Sequence, residues 1–384
     1  MIPQTYPSVI DGGVTKMVVY QLSSITGLQP WVDFIPVKSL TTGKSNHYDG
    51  YIEMSPLVST TGKQAWLDYI PVYVSDSYTV PFSTNVGGYI PGKGVSIFQG
   101  LLDLYPGAAS AYSTRKLRGA YSGPCVRVRR SSDNAEQDFG FSTSPVSGEY
   151  WLDTTALLAF CGAGSGFLTT LYDQSPGSAV NATQASAGSQ PMVVSSGVLY
   201  TTATGKPSLF YQGTGWFRQA TGHGVFNNKS YAGIFTIYER LSGSVSSHIL
   251  SCYSTGTSTT ANRVSLESSD IVNANTFARR LDADSIISDA NTQVAGLQSI
   301  VGEVRYSTGM LELFINGATN GGASLPSGSG STSATDSLAD PRIGIALTGS
   351  NPVFGHIPEL IEYNTDQSTN RSAIITNQRT AFGI

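Results

Sequence analysis

Few side chains in this 384-residue chain have the types and spacing that chemistry needs. Asp133, Glu136 and Asp138 crowd one polar stretch, DNAEQD. Three hard oxygen donors so close would suit Ca²⁺, although acids in a polar loop are usually just solvated. Arg127, Arg129 and Arg130 lie immediately upstream and read as one solvated strand face. The four histidines, His47, His223, His248 and His356, stand without ligand spacing. Cys125, Cys161 and Cys252 are odd in number and far apart, with no CxxC or Cys/His metal pattern. Glu239, beside Arg240, reads as a strand-end charge. No Gly-x-Ser-x-Gly elbow, P-loop or dinucleotide fingerprint occurs. The expectation is no bound metal and no cofactor.

The elements that would position these residues are strands. Only 12% of residues are Asp, Glu, Lys or Arg, so long helices lack the charged side chains that usually solvate them. Tyr, Thr, Val and Ser alternate with 42 glycines and 18 prolines, the composition of short strands and turns. The formal net charge of −4 gives no footprint for nucleic acid. No run approaches the ~20 apolar residues of a membrane-spanning helix, so no membrane insertion is expected. The start, MIPQTYPSVIDGG, shows no secretory pattern, and with the cysteine usage this points to synthesis in a reducing cytoplasm.

WVDFIPV at 31–37 returns as WLDYIPV at 66–72, each after Thr-Gly and each followed by Gly-Tyr-Ile, at 50–52 and 88–90. This is a tandem repeat of a small β unit, with copies at about 24–57 and 59–92. Such a unit is too small to bury a good core alone. Trp31, Asp33, Phe34 and Tyr51, with Trp66, Asp68, Tyr69 and Tyr89, are therefore expected to dock on a partner or pack the two copies together. Residues 1–95 form this repeat region, and 96–384 form a second domain. In the second domain a helix is expected over 111–121 and another after an Asp153 cap. Strands are expected at 167–173, 231–240 and 310–318, with an Asn316-Gly317 hairpin turn, and a last helix should follow a Ser368 cap. A polar loop should cover 321–337. The fold class is mainly β: two small tandem β modules, then a jelly-roll sandwich with a few short helices.

AYSTRKLRGAYSG (111–123), VRVRRSSD (126–133), LYDQS (171–175) with NATQ (181–184), and GKPSLFYQG (205–213) follow in that order. As a set they resemble the concanavalin-like catalytic domain of the family 54 α-L-arabinofuranosidases. They resemble more closely the laminin-G/lectin-like sandwich domains of tailed-bacteriophage virion proteins. The ending, IPELIEYNTDQSTNRSAIITNQRTAFGI, is similar to the closing strand and helix of those phage domains, so the resemblance spans about 105–384. The amino-terminal repeats also look like those at the starts of some phage structural proteins.

In the arabinofuranosidases the nucleophile follows a vicinal cysteine pair. The comparable stretch here, HILSCYSTG (248–256), has the single Cys252 and no acid before Glu267, so the resemblance implies a domain that has lost its chemistry. Asp173, Gln174 and Trp216 are the glycan contacts that it implies. Asp173 has a second reading as a turn cap, and Pro176 replaces the glycine usual after YDQS. The expected function is a non-enzymatic virion structural protein, a capsid decoration (cement or head-fibre) protein on the particle surface. Its partners would be the major capsid protein or other virion proteins, copies of itself in a homo-oligomer such as a trimer, and glycans. The alternatives are a tail fibre or tail-attached adhesin and, further off, an arabinofuranosidase-like hydrolase.

Overall fold

The segment YAGIFTIYER is rich in β-branched and aromatic residues, which favour strand. All ten of its residues are buried, the mark of a strand covered on both faces. A computed structural model places it at the centre of a sheet. The structure describes six strand segments within residues 4–90 and then residues 98–384, without 177–179, 220–224, 242–246, 254–262, 270–272, 281–282, 289–295, 325–340, 347–348 and 350. The chain divides into Met1–Ile97 and Phe98–Ile384.

In the first unit three antiparallel ladders are described: Gln4–Val9 with Lys16–Gln21, Phe34–Lys38 with Asp49–Glu53, and Phe82–Thr84 with Gly88–Ile90. Pro36 stands opposite Tyr51 in a two-stranded ladder, where a residue without an N–H is tolerated because both strands are edges. Phe34 stands opposite Glu53, and Tyr89 opposite Ser83. Trp31, Asp33, Trp66, Asp68 and Tyr69 lie outside the described residues.

The second unit is a mainly β sandwich. Its covered sheet runs Ala318–Ser324, Met310–Ile315, Gly296–Arg305, Tyr231–Arg240 and Phe354–Tyr363, with Ala108–Ser113 and Phe210–Gln212 along the last edge. Its open sheet runs Glu136–Phe139, Val126–Arg130, Gly166–Leu171, Ala182–Thr183, Phe217–Gln219, Arg342–Ile343, Ser247–Tyr253, Arg263–Ser269, Asn273–Arg280 and Ala283–Ser288. All these pairings are antiparallel. Met192–Ser195 joins the sheets, pairing with Gly166–Leu171 on one side and Phe210–Gln212 on the other.

Between the sheets, Ile234, Tyr238, Ile300, Val304 and Leu360 meet Val126, Val128, Leu168, Phe217, Leu266 and Ile343 in one core. The other face of the covered sheet holds Tyr231, Phe235, Ile361 and Tyr363, which pack on Ile374 and Ile375 of the helix Arg371–Phe382 and on Leu101 and Leu102 of Leu101–Leu104. The helix Thr154–Cys161 is capped as its sequence indicates, with Asp153 Oδ1 accepting the Ala156 N–H at 3.0 Å. Asn316 and Gly317 take positive φ (51° and 86°) and turn Met310–Ile315 back into Ala318–Ser324.

Two expected helical features differ. Residues 111–121 are not a helix. Ala108–Ser113 pairs with Phe354–Tyr363, and beyond it the backbone groups of Leu117 bond to Gln174 and Leu102 rather than along a helix. The last helix follows Asn370, not a Ser368 cap, and ends on left-handed Gly383.

A buried ion pair fastens that helix side. Arg115 is fully buried and clamps Glu359 in two places, Nε to Oε2 at 2.7 Å and an NH2 contact to Oε1 at 3.1 Å. Its other donors reach Glu149 and Asn377, each at 2.9 Å. Arg115→Met strands Glu359 in a low dielectric, so chemical denaturation should show a loss of about 3–5 kcal/mol. A loss under about 1 kcal/mol would mean the clamp is not structural.

Candidate active site

Residues directly opposite in an antiparallel ladder share a face. In the open sheet Val264 and Leu266 point into the core, so Ser265 and Glu267 take the other face, where Ser265 is fully covered and Glu267 half-buried. Tracing the register sideways from Ser265 gives Ser251, Arg342, Arg218, Thr183, Thr170, Arg127 and Asp138. The neighbouring row, including Phe217, Ile343 and Leu266, is core. The open sheet is therefore apolar inside and polar outside.

One step along the strands, Trp216, Gly344 and Glu267 stand at one level. Trp216 lies two residues before Arg218, and Glu267 two beyond Ser265. Gly344 continues the pairing by donating its N–H to the Ile249 carbonyl at 3.0 Å. Its φ of 91°, and a Tyr211 ring 2.6 Å from where a Cβ would sit, require glycine there. In register, His248 and Asn275 flank Glu267. Trp216 and Glu267 are three strand spacings apart, about 14 Å, on the same face.

Glu267 is half-buried and its Oε1 accepts the Ser265 hydroxyl at 2.7 Å. The Arg342 guanidinium lies 4.6 Å from the centre of the half-buried Trp216 ring, a cation–π contact. Gln184 and Ser189 fix the Trp216 backbone, through Gln184 Nε2 to the Trp216 carbonyl at 3.0 Å and the Trp216 N–H to the Ser189 carbonyl at 3.1 Å. A carboxylate steadied by a hydroxyl, with an indole and a guanidinium farther along the same floor, can attack an electrophilic carbon or accept sugar hydroxyls.

The other carboxylates have different work. Asp173 is buried and accepts the N–H groups of Ala111 (2.9 Å), Ser175 (2.8 Å) and Val180 (3.2 Å) and the Ser175 hydroxyl (2.8 Å). Burial pushes its carboxyl up, and those bonds pull against the rise. Gln174, also buried, accepts the Leu117 N–H and donates to the Ser113 and Arg115 carbonyls. Expected as sugar contacts, both are placed as buried groups, Asp173 bonded to three backbone N–H groups and the Ser175 hydroxyl, Gln174 to the backbone of residues 113–117. Trp216 alone of the three stands on the polar floor.

Glu362 is sealed between the sheets, accepting from Ser110 and Gln219 beside Tyr112. Glu303 accepts from Tyr231 and Arg371. Burial pushes the Glu239 carboxyl up, offset by the Ala203 N–H at 3.1 Å, so Glu239 is more than a solvated strand-end charge. Asp133 is held by Arg130 in two contacts at 2.7 and 2.8 Å, and Arg127 pairs with Asp138 at 3.2 Å. Among the described residues no cluster of three metal-ligating side chains occurs, and Cys125 and Cys161 are buried free thiols. Among them, too, no helix is long and apolar enough to cross a membrane.

Glu267 was legible in the sequence through the alternation Val264-Ser265-Leu266-Glu267. The missing cysteine pair at 248–256 masks it, because that motif, not the strand's alternation, marks a nucleophile in the family resemblance.

Two outcomes test these placements. Gln174→Leu removes the side-chain partner of the Leu117 N–H and the Arg115 carbonyl and leaves the Ser113 carbonyl to the Cys125 thiol, so it should cost about 2 kcal/mol or more in denaturant; an unchanged midpoint would contradict the anchor role. His356, packed against Tyr200 and Phe210, is held by burial at about 4, below its ordinary 6.5. Its contribution to stability is complete above about 6.5 and is lost as pH falls toward 4. His356→Phe should flatten thermal stability across that window.

Residues 103–263, less than half of the chain, match the family model described as "Alpha-L-arabinofuranosidase B, catalytic". No curated protein matches the sequence. Among solved structures, an arabinofuranosidase complexed with arabinofuranosyl-α-1,2-xylobiose is 17% identical with a TM-score of 0.46, covering 70% of this chain and 62% of its own. A GH54 α-L-arabinofuranosidase soaked with a cyclic sulfate inhibitor is also 17% identical, with the same coverage and a TM-score of 0.45. The Ruminococcus gnavus IT-sialidase CBM40 bound to α2,3-sialyllactose is 14% identical with a TM-score of 0.34, covering 40% of this chain and 83% of its own. The chain thus spans less than two thirds of the arabinofuranosidases' length, and likeness at these values fixes neither activity nor substrate. The family match overturns the expectation of a non-enzymatic virion decoration protein or tail adhesin, because the model that residues 103–263 match describes a glycosidase catalytic domain. The expected loss of chemistry rested on residues 248–256, whereas an outward carboxylate stands in the next strand.

Proposed function

We propose that the Phe98–Ile384 sandwich is an arabinofuranosidase-like glycoside hydrolase with Glu267 as its nucleophile. The observation that carries the hydrolase reading is the family match over residues 103–263; Glu267 lies beyond it and is assigned from its place on the strand Arg263–Ser269, which begins where the match ends. Four residues on, that strand presents Glu267 outward beside Ser265. In the proposed step the Glu267 carboxylate attacks the anomeric carbon of an arabinofuranosyl group. A carbon–oxygen bond to the enzyme forms as the bond to the aglycone breaks. Water then attacks the same carbon and frees both sugar and carboxylate. Ser265, donating to Oε1, holds the attacking group in place. Trp216, its ring braced by Arg342, gives a flat surface for the rest of the glycan.

A retaining displacement also uses a second carboxyl about 5–5.5 Å from the first to protonate the leaving oxygen. Among the described residues the outer face of the open sheet offers none at that range. Asp138 sits at its far edge, seven strand spacings or about 34 Å away. The most informative substrate is therefore 4-nitrophenyl α-L-arabinofuranoside, because nitrophenolate leaves without a proton and reports on the nucleophile alone. The full chain should release nitrophenolate, and Glu267→Gln should lower kcat/KM by on the order of 10³ or more. Azide added to Glu267→Ala should restore release and form the arabinosyl azide. No release by the natural chain, or equal release by Glu267→Gln, would overturn the proposal.

A further inference from the structure

The polar row of the open sheet is uneven in charge. Arg218 and Arg342 stand directly opposite each other in its ladder, so their Cβ atoms are about 5 Å apart on one face. Like charges so placed weaken a sheet rather than support it. The described acid of the same row, Asp138, lies at the far edge of the sheet and pairs with Arg127 at 3.2 Å. The middle of the row is therefore cationic, in a chain whose formal net charge is −4. Departures from local stability rules of this kind are expected where a ligand is met.

Both arginines lie where the remainder of a glycan would pass. The Arg342 guanidinium, 4.6 Å from the centre of the Trp216 ring, is held at the level of the indole. Arg218 is exposed, and so is Thr183, its neighbour across the next ladder. Counted from the strand of Glu267, Arg342 is two strand spacings away and Arg218 three, about 10 and 14 Å. Neither can act on the bond that Glu267 would attack. Each can reach a substituent farther along the same ligand. A guanidinium is a planar fork of donors with no acceptor, so it selects a carboxylate over a sugar hydroxyl, which both donates and accepts.

We infer that this site takes an acidic glycan, in which a uronate carboxylate is held by Arg218 and Arg342 beside Trp216. The inference rests on the reading of this face as the glycan site and names its substrate class. The test is calorimetric titration of the full-length Glu267→Gln chain with an arabinofuranosyl xylo-oligosaccharide bearing one glucuronic acid. The control is the same oligosaccharide with its carboxyl reduced to the alcohol. The acid should bind at least tenfold more tightly, and the preference should shrink as salt is raised. Arg218→Gln, at an exposed position, should remove the preference without shifting Tm. Arg218→Lys keeps the charge but loses the fork, and should retain only part of it. Nitrophenolate release by the natural chain is measured alongside, so the two readings fail separately. Release with equal binding of the two oligosaccharides would overturn the acidic assignment and leave hydrolysis standing. No release, with an acid preference that Arg218→Gln abolishes, would overturn hydrolysis and leave the acidic site. No binding of either oligosaccharide, or a preference unaltered in Arg218→Gln, would also overturn the inference.

Discussion

The guanidinium of Arg115 is where the covered side of the sandwich converges. Four of its contacts reach three elements: Glu359 on a central strand, Glu149 in the turn closed by its bridge to Val146, and Asn377 on the last helix. A buried charge of this kind is costly to leave unpaired, and it fixes its partners more than it adds net stability. With Arg371 held by Glu303, it keeps the helix Arg371–Phe382 against one outer face. Two packed sheets have only two outer faces. Once one is occupied by a helix, the polar residues that alternate with the core of the other sheet are the ones left to meet a ligand there.

That division explains why the acids differ so much in use. Glu303, Glu359 and Glu362 are all nearly fully buried and each accepts hydrogen bonds from neighbouring side chains. Asp173 closes a turn by gathering backbone N–H groups. Glu267 sits on the open sheet, with a hydroxyl donor beside it. Of these acids it alone is half-buried, with that hydroxyl in hydrogen-bonding range of its Oε1.

Much of the fold was legible because local rules agreed with the tertiary outcome. The strand over 231–240, the Asp153 cap and the Asn316-Gly317 turn each carried a local signal that packing reinforced. The stretch 111–121 failed because its apolar spacing fitted a helix, while the free edge of Phe354–Tyr363 supplied partners that a local reading cannot see. Site residues were harder still. Trp216 was singled out as an aromatic near a sugar motif, but Arg218, Arg342 and Ser265 join it only through register across strands far apart in sequence. Glu267 needed its alternating neighbours to be weighed above a missing motif. The virion reading arose from the closing strand and helix and from the amino-terminal repeats, features of architecture that many activities share.

The central claim is that Glu267 forms a bond to the sugar. Incubating the full chain with an arabinofuranose-configured cyclic sulfate, then digesting it and sequencing the labelled peptide by mass spectrometry, tests this directly. The account predicts one sugar adduct per chain, on Glu267. A label on another carboxylate, or none under conditions that label a known arabinofuranosidase, would contradict it.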